Sequence, residues 1–192
     1  EDAADPPGSE QIERLRSAAG HDKLVARVDP PALRKVVSAL QIDVDGIAPG
    51  IAVDRICERF ETQGIRDYLV ELGGEVRAQG LSPSGRAWRV AVEAPIAGER
   101  RPHALLELDG FAVSTSGDYR DFRETAGRRV SHTIDPRTAA PVTHRLTSVT
   151  VVHASTAMAD AFSTALMVLG PDEGMDAARR LRLAALFIAR PQ

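Results

Sequence analysis

Asp160 and Thr164 are the residues best suited to bind a metal ion, because they stand four positions apart in an otherwise apolar segment. Residues 155–170 read as a helix that begins near Ser155 and ends at Gly170, and positions i and i+4 project from one helix face. A carboxylate beside a hydroxyl offers the hard oxygen ligands that Mg²⁺ accepts, usually together with water and phosphate. A buried carboxylate can equally cap or hydrogen-bond a neighbouring loop. The segment alone leaves both interpretations open.

The composition indicates a globular protein with a hydrophobic core. The chain has 192 residues, of which 43% are hydrophobic, and a net charge of -3; a chain of this length buries roughly 70% of its unfolded surface. The charge and the lack of a long basic run argue against nucleic acid as a partner. The single cysteine, Cys57, excludes an internal disulfide and a cysteine metal site. No apolar run reaches about 18 residues, so we expect no membrane span in this chain.

The order of the elements predicts an α+β fold, a largely antiparallel sheet with packed helices. The expected helices span residues 9–19, 31–40, about 49–63, 155–170 and 171–180. The expected strands span residues 23–28, 67–72, 74–79, 87–93, 103–108, 111–115, 146–153 and 183–188, with a further hairpin that turns at 126–127. Glycine turns between consecutive strands favour antiparallel pairing. Pro49 could occupy the first position of its helix, so a glycine loop leads into a helix N-terminus, which suits a phosphate.

Four polar clusters occupy loops between these elements. They are residues 42–54 (IDVDGIAPGIAVD), 72–75 (LGGE), 114–119 (STSGDY) and 131–138 (SHTIDPRT). The metalloprotease, Walker, nucleophile-elbow and dinucleotide-binding signatures are absent. Together with the helix at residue 155, the clusters resemble, in the same order, the motifs of the ApbE family, the FAD:protein FMN transferases. The resemblance implies an ApbE-like, T-fold-like single domain over residues 1–192 that lacks the N-terminal part of the family.

The resemblance also implies two groups of site residues. Mg²⁺ would be bound by the main-chain oxygen of Gly46 and by Asp160 and Thr164, with Ser163 adjacent. FAD would lie with its pyrophosphate at that metal, near a second set of positions: Asp43, Pro49, Gly73, Gly74, Ser116, Gly117, Asp118 and Ile134. The glycines in this set would let the backbone approach the cofactor closely.

The activity implied by the resemblance is Mg²⁺-dependent transfer of FMN from FAD to an acceptor flavoprotein. A threonine hydroxyl of the acceptor would attack the FMN phosphorus and expel AMP, and His132 would assist removal of the hydroxyl proton. His132 could instead be a structural histidine bonded to a backbone carbonyl. Two other functions stay open, namely hydrolysis of the FAD pyrophosphate by water and flavin binding without turnover.

Three residues depart from the family pattern. Pro49 replaces the loop lysine, Asp45 stands where a small residue is usual, and Ala139 replaces the glycine of D-P-R-T-G. We expect strain at Ala139 if that position requires a left-handed backbone. Because family members are commonly exported in bacteria, the resemblance implies a periplasmic location or one at the membrane on its extracytoplasmic side, although the chain shows no signal of its own.

Overall fold

The computed structural model describes residues 7–96, 101–118, 122–125 and 128–190, with only the backbone described for 122–125 and 128–129. Two compact units are present, one within residues 1–43 and 134–140 and the other within residues 44–133 and 141–192. Helices and a mainly antiparallel sheet confirm the predicted α+β class. Among the described helices, none combines the length and the apolar character needed to cross a bilayer.

The elements agree with most of the predicted boundaries to within one or two residues. The described helices are α1 (Ser9–Ala18), α2 (Ala48–Thr62) and α3 (Thr156–Leu181). The described strands are β1 (Leu24–Arg27), β2 (Ala32–Lys35), β3 (Tyr68–Leu72), β4 (Glu75–Gln79), β5 (Trp88–Glu93), β6 (Pro102–Leu108), β7 (Phe111–Gly117), β8 (Phe122–Thr125), β9 (Arg128–Ser131), β10 (Ile134–Asp135), β11 (Ala140–Pro141), β12 (Leu146–His153) and β13 (Ala184–Ala189). The predicted turn at residues 126–127 lies outside the described residues, and β8 and β9 pair antiparallel on either side of it.

The helix predicted over residues 31–40 is wrong, because part of that segment is strand β2. Its residues pair antiparallel with β1, so that Arg27 lies opposite Ala32 and Leu24 opposite Lys35. The segment contains Ala, Leu, Arg and Lys, which favour helix by propensity. The neighbouring strand, reached through a short turn, satisfies the backbone hydrogen-bonding groups instead, and this contact overrides the weak local preference.

The second unit places a five-stranded sheet between two helices and a hairpin. The strand order is β13-β12-β7-β4-β3, and every neighbouring pair is antiparallel. Alternate side chains point to opposite faces of the sheet. Val149 and Val151 pack against α3 on one face, whereas Val76 and Val113 pack against the β5–β6 hairpin on the other. Because β5 and β6 pair with each other outside this sheet, β4 pairs directly with β7, an arrangement that chain order alone does not indicate.

Helix α3 contains two helical segments that meet at Gly170, where the sequence predicts one helix to end and another to begin. Gly170 has a φ of 82°, and a Cβ there would lie 2.7 Å from Cδ2 of His144. Pro171 has no N–H to donate to the carbonyl of Met167, four residues earlier. Nε2 of His144 lies 2.9 Å from that carbonyl oxygen. The histidine therefore donates the hydrogen bond that the proline cannot.

Replacing His144 by Ala should lower the free energy of unfolding by about 2 kcal/mol, because the buried Met167 carbonyl would lose its donor. His144→Gln is the matched control, since its amide can still donate to the same oxygen, and we expect it to recover part of the loss. Urea unfolding followed by circular dichroism measures both changes. An Ala variant as stable as the wild type would show that the helical kink does not depend on this bond.

Candidate functional site

The two segments predicted to bind a metal meet in the second unit. The carboxyl group of Asp160 is buried, with 5% of the residue exposed, and its Oδ2 accepts the N–H of Gly50 at 3.1 Å. Gly46 lies directly against Thr164, since a Cβ at Gly46 would be 3.2 Å from Cγ2 and 3.4 Å from Oγ1 of that threonine. The loop before α2 therefore contacts Thr164 through Gly46, and the start of α2 contacts Asp160 through Gly50, while the metal role of these residues stays a prediction.

Close contact between α2 and α3 requires glycine at position 50. A Cβ there would lie 2.7 Å from both the Cα of Ala157 and the carbonyl oxygen of Thr156. Both of these atoms belong to the backbone of α3 and cannot move aside as a side chain can. The absence of a side chain at Gly50 thus allows the helix N-terminus to reach Asp160.

Hydroxyl groups from β7 and α3 form a connected cluster beside Asp160. Oγ of Ser116 lies 2.9 Å from Oγ of Ser163 and 3.0 Å from Oγ1 of Thr164. Oγ of Ser114 lies 3.3 Å from Oγ of Ser163 and donates to Oε1 of Glu75 at 3.3 Å. We call these five residues the hydroxyl chain. Ser114 and Glu75 fall within the predicted polar clusters but were not predicted as site residues, although Ser114 shares a sheet face with the predicted Ser116 because the two stand two positions apart along a strand.

Two buried carboxyl groups, Asp160 and Glu75, lie in this region. Burial raises the pKa of Asp160, while the hydrogen bond from Gly50 lowers it in part. Burial and the nearby charge of Asp160 raise the pKa of Glu75, which is 8% exposed. A bound divalent ion would offset both the desolvation and the repulsion.

The available oxygen atoms fit Mg²⁺ better than a metal that needs a complete protein cage. A carboxylate has about four acceptor positions, so the single bond from Gly50 leaves Asp160 able to bind a ligand. Within the described part of the chain, no three His, Cys, Asp or Glu side chains group together. The remaining ligands would have to be hydroxyl, carbonyl, water or phosphate oxygens, which is the usual coordination of Mg²⁺. Asp160 thus both bonds a neighbouring helix and retains the capacity to bind a metal.

Asp54, which was not predicted as a site residue, joins α2 to the first turn of α3. Its carboxylate accepts the N–H groups of Thr156 at 2.9 Å and Ala157 at 3.1 Å, and the hydroxyl of Ser155 at 2.8 Å. Nη1 of Arg77 donates to it at 3.0 Å. Burial raises the pKa of Asp54, but the hydrogen bonds lower it more, to about 2. We call this set of contacts the α2–α3 clasp.

The other predicted flavin positions in the second unit lie on different elements of the chain. Pro49 is the second residue of α2, one position later than predicted. Gly73 and Gly74 form the exposed turn between β3 and β4 and have φ values of 69° and 113°. This backbone conformation by itself accounts for two glycines at the turn. Their predicted approach to the cofactor stays a prediction.

Gly117 ends β7 and Asp118 follows it, and these two residues contact β12 and Arg190. Gly117 pairs with Ser148 of β12. The carboxylate of Asp118 is 7% exposed and forms a 2.7 Å ion pair with Arg190. Of the predicted residues 116–118, Ser116 lies within hydrogen-bond distance of Ser163 and Thr164, whereas Asp118 pairs with Arg190.

His132 is exposed and directly follows β9. Predicted flavin residues Asp43 and Ile134 fall in the first unit, where both are exposed. Ala139, in that same unit, has a φ of 55°. The expected left-handed conformation is thus present at this alanine, and it carries the strain of a side chain in that region.

Comparison with known proteins gives consistent matches over nearly the whole chain. A family model described as the ApbE family matches residues 1–187. The FAD:protein FMN transferase of Escherichia coli strain K12 is 37% identical over 186 residues, which cover 96% of this chain and 53% of that protein. The corresponding protein of Vibrio cholerae is 38% identical over 184 residues, 96% of this chain and 54% of the relative. The chain therefore spans about half the length of these curated relatives.

Solved structures share the fold as well. The apo form of Pseudomonas stutzeri flavinyl transferase ApbE has a TM-score of 0.84 and 45% identity, and the match covers 97% of this chain and 56% of that chain. The flavin transferase ApbE from Vibrio cholerae has a TM-score of 0.87 and 34% identity, with coverage of 100% and 60%.

Proposed function

The chain belongs to the ApbE family, and on that premise we propose that its protein transfers FMN from FAD to a threonine hydroxyl of an acceptor flavoprotein. The observation that carries the proposal is the meeting of Gly46 with Thr164 and of Gly50 with Asp160. These contacts bring together two motifs that lie more than a hundred positions apart. We also propose that the protein acts on the extracytoplasmic side of the membrane, as the family resemblance implies.

The proposed cofactor is Mg²⁺, held by the main-chain oxygen of Gly46 and by Asp160 and Thr164, with Ser163 adjacent. When bound, the ion would neutralise charge on the pyrophosphate oxygens of FAD and on the departing AMP. The protein residues position the reaction. Asp160 provides the negative charge that retains the cation, and the Gly50 N–H fixes the orientation of this carboxylate. These contributions would suit a hard divalent cation that also accepts phosphate and water oxygens.

In the transfer step, the threonine oxygen of the acceptor forms a bond to the FMN phosphorus while the bond from that phosphorus to the oxygen of AMP breaks. The electron pair of the broken bond leaves with AMP. We propose that His132 receives the proton of the threonine hydroxyl, because an imidazole can accept a proton near neutral pH. The exposure of His132 supports this role, since the nucleophile arrives on another protein.

The test is an assay of the full-length protein with FAD, Mg²⁺ and an acceptor peptide that contains the target threonine. We expect AMP in solution and covalent flavin on the peptide in equal amounts, measured by chromatography and mass spectrometry. A peptide with Val in place of Thr is the matched control, because it keeps the shape and lacks the nucleophile. AMP release without any peptide would support FAD hydrolysis instead, and retention of FAD without AMP would indicate a binding protein.

A further inference from the structure

We propose that Ser116 is a positioning residue for the cation site, where it holds the hydroxyl of Thr164 with its oxygen lone pairs free for the metal. The inference rests on the proposed function, because it assumes that Thr164 binds Mg²⁺. Ser116 lies on β7, and its Oγ is 3.0 Å from Oγ1 of Thr164 and 2.9 Å from Oγ of Ser163. Ser116 therefore contacts a proposed ligand of the metal without being one itself.

The main-chain carbonyl of Asp160 fixes the direction of donation among these hydroxyl groups. Oγ of Ser163 donates to that carbonyl oxygen at 3.0 Å, and a carbonyl oxygen can only accept. The same oxygen has a second lone pair for the N–H of Thr164, which follows four residues later in the helix. The single proton of Ser163 is thus engaged, and this hydroxyl can only accept a hydrogen bond from Ser116.

The remaining order of donation follows because each hydroxyl has one proton and two lone pairs. Since Ser163 accepts, Ser116 donates its own proton to Ser163 at 2.9 Å. Ser116 then has no proton left for Thr164, so the 3.0 Å contact between them requires Thr164 to donate. The hydroxyl protons of Thr164, Ser116 and Ser163 thus each form one hydrogen bond. All of these bonds form together in this direction alone, because the last acceptor, the carbonyl of Asp160, cannot donate.

This direction of donation leaves Thr164 suited to bind a cation. Its proton is directed to Ser116, and both lone pairs of Oγ1 stay available. A threonine that accepted from Ser116 would instead have one lone pair engaged and its proton free to turn toward the metal, which repels it. Oγ1 also lies beside the loop that supplies the proposed main-chain ligand, since a Cβ at Gly46 would be 3.4 Å from it. Groups behind metal ligands orient those ligands and commonly change metal affinity about 10- to 100-fold when removed.

Magnesium titrations of the full-length protein by calorimetry test the role of Ser116, with thermal unfolding in the absence of metal to check that each variant is folded. Ser116→Ala removes the acceptor of the Thr164 proton, and we expect Mg²⁺ affinity to fall about tenfold. Ser163→Ala lets Ser116 donate to Thr164 instead, and we expect a smaller loss. The double variant should lose no more affinity than Ser116→Ala, because both substitutions act through one path. Thr115→Ala is the matched control with wild-type affinity, because Thr115 lies on the same strand but bonds Thr150 on the other face.

Transfer kinetics give a second measurement that separates positioning from catalysis. In Ser116→Ala, the Mg²⁺ concentration needed for half-maximal rate should rise, while kcat at saturating Mg²⁺ should stay near that of the wild type. Wild-type Mg²⁺ affinity in Ser116→Ala would overturn the inference and leave the proposed function intact. Losses that add in the double variant would also overturn it, because Ser163 would then act on the ion independently of Ser116. A wild-type protein that binds no Mg²⁺ would overturn the proposed cation site and this inference together.

Discussion

Asp160→Asn should lose Mg²⁺ binding and reduce the rate of FMN transfer by about 100-fold or more, while the metal-free protein stays at least as stable as the wild type. The amide oxygen of Asn can still accept the N–H of Gly50, so the contact between α2 and α3 is kept. The substitution removes the negative charge of the Asp160 side chain. Because burial raises the pKa of Asp160, a charged carboxylate at this position costs free energy in the absence of a cation.

The experiment separates a metal ligand from a structural carboxylate. Thermal unfolding without metal reports stability, and calorimetry with Mg²⁺ together with the transfer assay reports function. Asp172→Asn is the control, since this residue of α3 loses the same charge at an exposed position. If Asp160→Asn were unfolded without metal, or bound Mg²⁺ as tightly as the wild type, the interpretation of Asp160 as a ligand would be wrong.

Of the variants proposed, Asp54→Ala should lower the free energy of unfolding the most, by about 3 kcal/mol, because it removes the α2–α3 clasp. Three donors at the start of α3 would lose their acceptor, and Arg77, which is only 18% exposed, would lose its 3.0 Å ion pair with Asp54 and keep the 3.5 Å pair with Glu61. Breaking a buried ion pair from one side commonly costs about 3–5 kcal/mol, more than a helix cap alone. Asp176→Ala is the matched control, because its pair with Arg179 is about 70% exposed on both sides and should contribute less than about 1 kcal/mol.

The same variant should remove part of the acid sensitivity of the protein. The pKa of Asp54 is about 2 in the folded state and 3.8 as a reference, so its contribution to stability is present above the higher value and is lost as pH falls through the lower one. The difference corresponds to about 2.4 kcal/mol. In urea unfolding, the gap between the wild type and Asp54→Ala should narrow by about 2 kcal/mol from pH 5 to pH 2, where the folded-state carboxyl group is half protonated. A gap that is constant with pH would show that the carboxylate charge is not what stabilises the clasp.

The sequence was sufficient to single out Asp160 and Thr164, because both the helical spacing and the family motif point to them, and the structure shows that they contact Gly50 and Gly46. It was also sufficient for the break at Gly170, where a glycine followed by Pro171 has one physical interpretation. The metal role itself still depends on the resemblance, since a carboxylate that bonds Gly50 could be purely structural.

Glu75 and Ser114 could not be predicted as a pair, because their contact depends on which strands are neighbours. The chain places β5 and β6 between β4 and β7, and only the folded sheet shows that this hairpin lies on one face instead of between them. The same limitation explains the wrong helix at residues 31–40. Local propensity favoured helix there, and a strand partner decided otherwise.

The α2–α3 clasp has a consequence for which ions the proposed site could accept. Gly50 and Asp54 hold α2 against α3 by backbone contact and by several short hydrogen bonds, so the start of α2 cannot separate from α3 without breaking them. Ca²⁺ binds more oxygen ligands than Mg²⁺. Its metal–oxygen distances are about 2.4 Å, whereas those of Mg²⁺ are about 2.1 Å. A site whose ligands cannot move apart would favour the smaller ion, Mg²⁺. The residues that hold the two helices together would thus favour Mg²⁺ over Ca²⁺ without contacting the ion.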